Sequence, residues 1–205
     1  SRLSDLLKSQ QCDDLVALLE DELPRIDGGL LPLLITGERM SMSAAVLSGI
    51  GKNLSALPAS EAALGAEIES KLAATDALSA AEVVDLLERF VIALSGDGGD
   101  RAGVCLVIDE MGKLLEWAAQ NPTKADVYFL QLLAEMASRL TVGTLLVVTV
   151  LHQSFDAYAD GLPRSTRAEW AKVEGRYELV PYLEPPRHLL RLTAGAIRPS
   201  EAGKE

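Results

Sequence analysis

The sequence predicts an α/β fold in which helices sandwich a mainly parallel sheet. Apolar runs of strand length alternate with longer segments of helical periodicity, which is the pattern of this fold class. The run VCLVID, residues 104–109, is apolar on both faces, as expected for a strand between two layers of helices. Three apolar runs end in polar or charged residues, which is where an open parallel sheet places its ligand site.

The length and composition indicate one folded domain. The chain has 205 residues, of which 48% are hydrophobic and 24% are charged, a balance typical of globular proteins. We expect a single domain over residues 1–197 and a loose tail over residues 198–205. Because the first residue is not methionine, we expect the chain to be part of a longer protein.

The charge and the few cysteines exclude several classes of function. A net charge of −11 argues against a nucleic-acid surface over the whole domain, although a local basic patch stays open. Two cysteines and two histidines, spread along the chain, do not form a zinc motif. Free thiols fit a reducing compartment, and no apolar stretch approaches the roughly 20 residues of a membrane span. We therefore predict a cytoplasmic protein that does not bind a membrane.

The chain is predicted to begin with an amphipathic helix and a buried strand. The helix ends before Pro24, and the strand, LLPLLIT, leads into a loop at Gly37. The apolar face of this helix contains Leu15, Leu18, Leu19 and Leu23.

Three further helices are predicted before the second strand. The first covers residues 43–57, and the second covers the Ala-rich residues 60–78. The third begins near Ala80, because Ser79 and Glu82 have the spacing of a capping box. The Gly-rich segment SGDGGDRAG then forms a loop.

The second half of the chain repeats the alternation of strand and helix. One helix is predicted after VCLVID and another over VYFLQLLAEMASRL, and a strand covers residues 145–150. In the last third we predict a helix from Arg164 to Glu174, a strand over residues 178–183 and a final helix after two prolines.

Asp109 ends the run VCLVID and Glu110 follows it directly, although a buried strand has no use for charge. Two interpretations are open. The pair could lie at the amino end of the next helix, where the helix dipole favours negative charge. Alternatively, the two carboxylates could bind Mg²⁺ and orient water, since a helix follows them and the next strand also ends in polar residues.

An apolar strand that ends in Asp-Glu resembles the Walker B motif of P-loop NTPases of the additional-strand type, the group that includes AAA+ and STAND ATPases. Residues 151–192 also resemble large bacterial ATP-binding proteins associated with phage defence. The resemblance covers most of residues 30–197 and implies ATP and Mg²⁺ as cofactors. It implies that Asp109 holds Mg²⁺ and that Glu110 orients the attacking water.

The resemblance also implies a polar residue that senses the γ-phosphate, and arginines that reach it in the same or a neighbouring subunit. The alternative sensors, near the end of the strand at residues 145–150, are Thr149, His152 and Gln153. The candidate arginines, which follow that strand, are Arg164, Arg167 and Arg176.

The sequence contains no Walker A motif, GxxxxGK followed by Ser or Thr. The most similar segment, VLSGIGKNLS, has Val46 at the first glycine position and Asn53 at the hydroxyl position. In the family, the strand before this motif lies between the sensor strand and the last strand. Two explanations are open: the strand and its loop precede Ser1 in a longer protein, or the domain has lost them and no longer hydrolyses ATP.

Two hypotheses for function follow from the sequence. The first is the ATP-binding and hydrolysing core of a larger machine, in which nucleotide state drives conformational change or assembly with other subunits or domains. DNA, RNA and protein all stay open as substrates of that machine. The second is a noncatalytic α/β interaction module with a degenerate nucleotide-binding fold.

Overall fold

The computed structural model describes residues 28–74, 78–121 and 127–181, together with residues 187, 190, 191, 193 and 194. The predicted N-terminal helix and the predicted tail lie outside the described residues. The described residues form an α/β fold with a three-stranded parallel sheet.

The sheet consists of β1 (Leu30–Thr36), β2 (Gly103–Asp109) and β3 (Thr144–Thr149), in that order from one side to the other. Both pairs of strands are parallel and in continuous register. The three strands therefore end at the same edge of the sheet, with β2 in the middle.

Six α-helices lie within residues 28–74, 78–121 and 127–181, and the described residues 187, 190, 191, 193 and 194 are also helical. They are α1 (Met42–Gly51), α2 (Ala62–Leu72), α3 (Ala80–Ser95), α4 (Met111–Gln120), α5 (Val127–Arg139) and α6 (Arg164–Glu174). Short 3₁₀ helices cover Leu54–Ala56, Ala59–Glu61 and Phe155–Ala159. Across the described residues, none of the helices combines the length and the low polarity that a bilayer crossing requires.

One face of the sheet is covered by helices because of the order of the strands. Parallel crossovers are right-handed, so two successive steps in the same direction place both connections on one face. α1 packs against β1, α3 against β2 and α5 against β3. The core between these helices and the sheet includes Leu33, Phe90, Leu106 and Phe129, which are fully buried.

The opposite face of the sheet is exposed in the described part of the chain. Leu34 of β1 is 68% exposed, and Leu146 and Val148 of β3 are 48% and 40% exposed. The predicted sandwich is therefore confirmed for one face of the sheet, whereas the described residues leave the other face open.

The start of α3 and the bounds of α6 confirm two predictions. Ser79 Oγ accepts a hydrogen bond from the Glu82 N–H at 3.3 Å, and Glu82 Oε2 accepts one from the Ser79 N–H at 2.9 Å. This is the reciprocal capping box that the sequence predicts. α6 begins at Arg164 and ends at Glu174, as its periodicity predicts.

The helix predicted over residues 43–57 is shorter than expected. α1 ends at Gly51, and a separate 3₁₀ turn covers Leu54–Ala56. Lys52 is the C-cap, and the side-chain amide of Asn53 donates to the carbonyl oxygen of Gly49 at 2.9 Å, which satisfies a group that the last turn leaves unpaired.

The strand predicted over residues 178–183 is absent from its described part, residues 178–181. Leu179 and Val180 are 72% and 77% exposed, so this apolar segment has no cover among the described residues. An extended segment becomes a strand only when a neighbour pairs with its backbone. In the described residues β3 pairs with β2 alone, so the partner that the prediction needs is missing.

Replacement of Ser79, the N-cap residue of α3, tests the predicted start of this helix. Ser79→Ala should lower the free energy of unfolding by about 1 kcal/mol, because it removes the side-chain acceptor at the helix start. Chemical denaturation measures the change. Ser70→Ala, at an exposed position inside α2, serves as the control and should leave stability unchanged or slightly raised. Equal stability of the two variants would contradict the capping role.

Candidate functional site

Polar side chains that follow the three strands meet in a cleft at the carboxyl edge of the sheet. The cleft has a volume of about 590 Å³. The continuous register of the strands brings its lining together from three parts of the chain. Glu38 follows β1, Glu110 and Lys113 follow β2, and His152 and Tyr158 follow β3.

Glu110 has a left-handed backbone conformation, with φ 52° and ψ 38°. Among the described residues other than glycine, it alone has a positive φ. Such a conformation costs a residue with a side chain roughly 1–2 kcal/mol, so surrounding contacts must hold it. The Glu110 N–H donates to Asp109 Oδ1 at 2.9 Å, and the Met111 N–H donates to the carbonyl oxygen of Val150 at 3.1 Å. The turn is thus held from the side of β3.

Gly37 holds the same turn from the side of β1. Its N–H donates to the carbonyl oxygen of Asp109 at 2.7 Å. A Cβ atom at this position would lie 2.2 Å from the carbonyl oxygen of Glu110, which is closer than real Cβ contacts. Glycine is therefore required where the loop after β1 crosses the backbone of Asp109 and Glu110.

The Glu110 carboxylate is paired with a cation. Lys113, three residues along α4, donates from its Nζ atom to Glu110 Oε2. This hydrogen bond, the positive charge of Lys113 and the proximity of His152 hold the pKa of Glu110 below its ordinary value. Glu110 is therefore ionised at neutral pH and can accept a hydrogen bond or a proton.

Asp109 ends β2, and its side chain is exposed. The described residues contain no group of three or more His, Cys, Asp and Glu side chains that could hold a metal ion. Mg²⁺ does not need such a cage when a nucleotide is bound, because phosphate oxygens and water supply most of its ligands. One accessible carboxylate at Asp109 therefore fits a Mg²⁺ ion that arrives with a nucleotide.

The three alternative sensor residues differ in their relation to the cleft. Thr149 is the last residue of β3, is half-buried and lies opposite Ile108 of β2. Gln153 is exposed and is not one of the residues that line the cleft. His152 lines the cleft beside Glu110. Of the three, the structure brings His152 together with the carboxylate.

The three candidate arginines lie outside the lining of this cleft. Arg164 and Arg167 line a second cleft of about 360 Å³ beside α6, together with the acidic residues Asp156 and Asp160. Arg176 follows α6 and forms an ion pair with Glu135 of α5 at 3.1 Å.

Sequence reasoning gives no role to Lys113, Glu38 or Tyr158. Lys113 has a detectable signal, because side chains three residues apart lie on one face of a helix. Tyr158 packs over Gly112, where an added Cβ atom would lie 2.3 Å from the tyrosine oxygen. No pattern in the sequence signals that contact, since it joins α4 to the 3₁₀ helix that follows β3.

No family model matches the chain, and comparisons with curated proteins and with solved structures likewise give no match. An α/β fold hosts many unrelated activities, so the fold alone does not identify one. The function must therefore be inferred from the cleft and from the arrangement of the strands around it.

The close approach at Gly37 can be tested by adding one methyl group. Gly37→Ala should lower the free energy of unfolding by about 1–3 kcal/mol, because the atoms that Cβ meets are backbone atoms that cannot rotate away. Gly65→Ala is the matched control. Its Cβ atom has a nearest contact of 3.8 Å, so the change should raise stability by roughly 0.5–1 kcal/mol. Similar effects at both positions would contradict the proposed constraint.

The ion pair predicts a change in the titration of Glu110. Lys113→Met should raise the pKa of Glu110 toward its ordinary value, as measured by NMR of the side-chain carboxyl carbon. Because the pair lowers the pKa, its stabilisation should be present at neutral pH and lost as the pH falls through that pKa. The control is Lys172→Met, which removes the same charge from a pair with Glu169 at the same spacing. An unchanged Glu110 pKa in Lys113→Met would refute the assignment.

Proposed function

We propose that this chain is part of the ATP-binding and hydrolysing core of a larger P-loop ATPase related to the AAA+ and STAND groups. One observation carries the proposal: Asp109 ends the central strand, and Glu110, the carboxylate that follows it, is held in a left-handed conformation. A strained backbone that its neighbours hold in place is characteristic of functional sites.

The competing interpretation, that the carboxylates only cap α4, has less support. Glu110 occupies the N-cap position, but its side chain makes no capping hydrogen bond. The Glu110 carboxylate instead pairs with Lys113, and Asp109 Oδ1 accepts from the Glu110 N–H. Helix capping uses ordinary extended geometry at the cap residue, so it does not account for the positive φ.

The outer edge of β3 supports the same proposal. The resemblance to P-loop NTPases implies that the strand before the phosphate-binding loop lies next to the sensor strand, which corresponds to β3. In the described residues this side of β3 has no partner strand, so its N–H and C=O groups can pair with a further strand. The proposal assigns that strand and its loop to sequence before residue 1.

The proposed chemistry divides the work between the two carboxylates. Bound together with ATP, Mg²⁺ would neutralise charge on the β- and γ-phosphates. Asp109 would hold this ion, directly or through water. Glu110, whose carboxylate pairs with Lys113, would accept a hydrogen bond from the attacking water and orient it. His152, in the same cleft, is the proposed sensor of the γ-phosphate.

The wider role follows from the resemblance of the surrounding sequence. Nucleotide state would be coupled to conformational change or assembly of a cytoplasmic machine, and the resemblance of residues 151–192 extends this proposal to antiviral defence. Arg164 and Arg167 line a separate cleft, so the proposal gives them no role in the cleft that contains Glu110.

A noncatalytic interaction module is the second candidate. The 205 residues contain no Walker A motif, without which phosphate binding lacks its loop and lysine. In addition, the Glu110 carboxylate that hydrolysis would use is already engaged by Lys113. Under this alternative the turn at Glu110 is a structural remnant.

Replacement of Glu110 in the intact protein, including the sequence before residue 1, separates the two candidates. Glu110→Gln should reduce ATP hydrolysis by about 10²–10⁴-fold and retain ATP binding, because it removes the base and keeps the shape. Glu169→Gln is a matched control, since Glu169 forms the same kind of pair with Lys172 on α6. Its turnover should equal that of the wild type.

Two results would contradict the ATPase proposal. Equal turnover by the wild type and Glu110→Gln would remove Glu110 from the chemistry. Failure of the intact wild-type protein to bind ATP in the presence of Mg²⁺ would favour the interaction module.

A further inference from the structure

Tyr158 is a buried side chain whose hydroxyl has no hydrogen-bond partner in the described part of the chain. The residue is 9% exposed and belongs to the 3₁₀ helix Phe155–Ala159, which packs against α4. Among the described side chains, Ser95 Oγ alone is both inaccessible and unpartnered, so the tyrosine oxygen is open to solvent. Tyr158 lines the cleft that contains Glu110. Buried tyrosine hydroxyls usually have a partner, so this hydroxyl needs an explanation.

Gly112 makes room for this side chain. An added Cβ atom at Gly112 would lie 2.3 Å from the Tyr158 oxygen and 2.6 Å from the ring carbon that bears it. Glycine is a poor helix-forming residue, and the space that its missing side chain leaves is filled here by the tyrosine. The packing therefore holds the hydroxyl against the first turn of α4, two residues along the chain from Glu110.

The side-chain donors that line this cleft differ in whether a protein group already engages them. Arg39 and Lys113 are each paired with an acidic side chain of the cleft. His152 and Tyr158 have no hydrogen-bond partner within the described ranges. The two free donors both come from the segment that follows β3. Donors that lack a protein acceptor favour a ligand with several acceptor oxygens, such as a phosphate group.

We propose that the Tyr158 hydroxyl donates a hydrogen bond to an oxygen of the γ-phosphate of ATP bound in this cleft. The inference rests on the proposed function, in which Glu110 orients the water that attacks this phosphate. The hydroxyl lies over Gly112 and so belongs to the same part of the cleft as Glu110. The α- and β-phosphates would lie toward the phosphate-binding loop, which the proposed function assigns beyond the outer edge of β3.

Tyr177 provides a comparison within the same protein. Its hydroxyl donates to the carbonyl oxygen of Leu130 at 2.7 Å, which ties the residues after α6 to α5. A hydrogen bond between two protein groups stabilises the fold, and its loss leaves the acceptor without this donor. The Tyr158 hydroxyl has no such acceptor among the described residues. Loss of the hydroxyl should therefore affect stability at Tyr177 and ligand binding at Tyr158.

Removal of the Tyr158 hydroxyl tests the proposal in the intact protein, including the sequence before residue 1. Tyr158→Phe keeps the ring and should weaken the binding of a nonhydrolysable ATP analogue, in the presence of Mg²⁺, by at least about tenfold. The reason is that a hydrogen bond to a charged oxygen is lost. The affinity for ADP, which has no γ-phosphate, should be unchanged. Isothermal titration calorimetry measures both affinities.

Stability without nucleotide should respond in the opposite order. Tyr158→Phe should leave the midpoint of chemical denaturation unchanged or slightly raised, because the hydroxyl has no acceptor in the described residues to lose. Tyr177→Phe should lower the equilibrium constant for folding by roughly fivefold and leave both nucleotide affinities at the wild-type values. Tyr128→Phe is the matched control on α5, where the side chain is 56% exposed, and should change neither property.

Three results would overturn this inference and leave the proposed function standing. Equal affinity of the wild type and Tyr158→Phe for the ATP analogue would mean that the hydroxyl contacts only water. An equal loss of affinity for the analogue and for ADP would place the hydroxyl away from the γ-phosphate. A loss of stability as large as that of Tyr177→Phe would give the hydroxyl a structural role. Failure of the wild type to bind either nucleotide would instead contradict the proposed function, and this inference with it.

Discussion

The backbone turn at Asp109 and Glu110 is the constraint on which the rest of the site depends. β1 leads to the Gly37 N–H and β3 leads to the Val150 carbonyl oxygen, so hydrogen bonds hold the turn from both sides. These contacts require three parallel strands in register, because only then do all the carboxyl ends lie at one edge. The core fixes this register, since a slip of one residue would move Leu33 to the exposed face.

The ion pair in the cleft bears on the proposed hydrolysis more than on the stability of the fold. The side chains of Glu110 and Lys113 are 35% and 49% exposed, and ion pairs at such positions add little to the stability of a fold. The effect of Lys113 is to lower the pKa of Glu110 and to hold its carboxylate along α4. It also sets a condition for the proposed hydrolysis, because the attacking water must share the Glu110 carboxylate with Lys113 or displace it.

Local sequence patterns predicted helix boundaries. Strand pairing and the contacts between loops depend instead on residues that are far apart in the sequence. The capping box at Ser79 and the bounds of α6 follow from residues close together in sequence, so periodicity was enough to find them. The absence of pairing at residues 178–181 depends on a neighbouring strand that no local pattern reveals. The Asp-Glu pair was visible in the sequence, whereas the left-handed turn at Glu110 and the contact of Tyr158 with Gly112 arise only when distant loops meet.

The proximity of a nucleotide-bound metal ion to Asp109 is the central claim, and paramagnetic NMR tests it most directly. Mn²⁺ replaces Mg²⁺ in octahedral oxygen sites, and it broadens signals from nearby nuclei. In the intact protein with a nonhydrolysable ATP analogue, Mn²⁺ should broaden the amide signals of Asp109 and Glu110 strongly and that of Lys172 on α6 weakly. Uniform or absent broadening while the analogue is bound would contradict the claim.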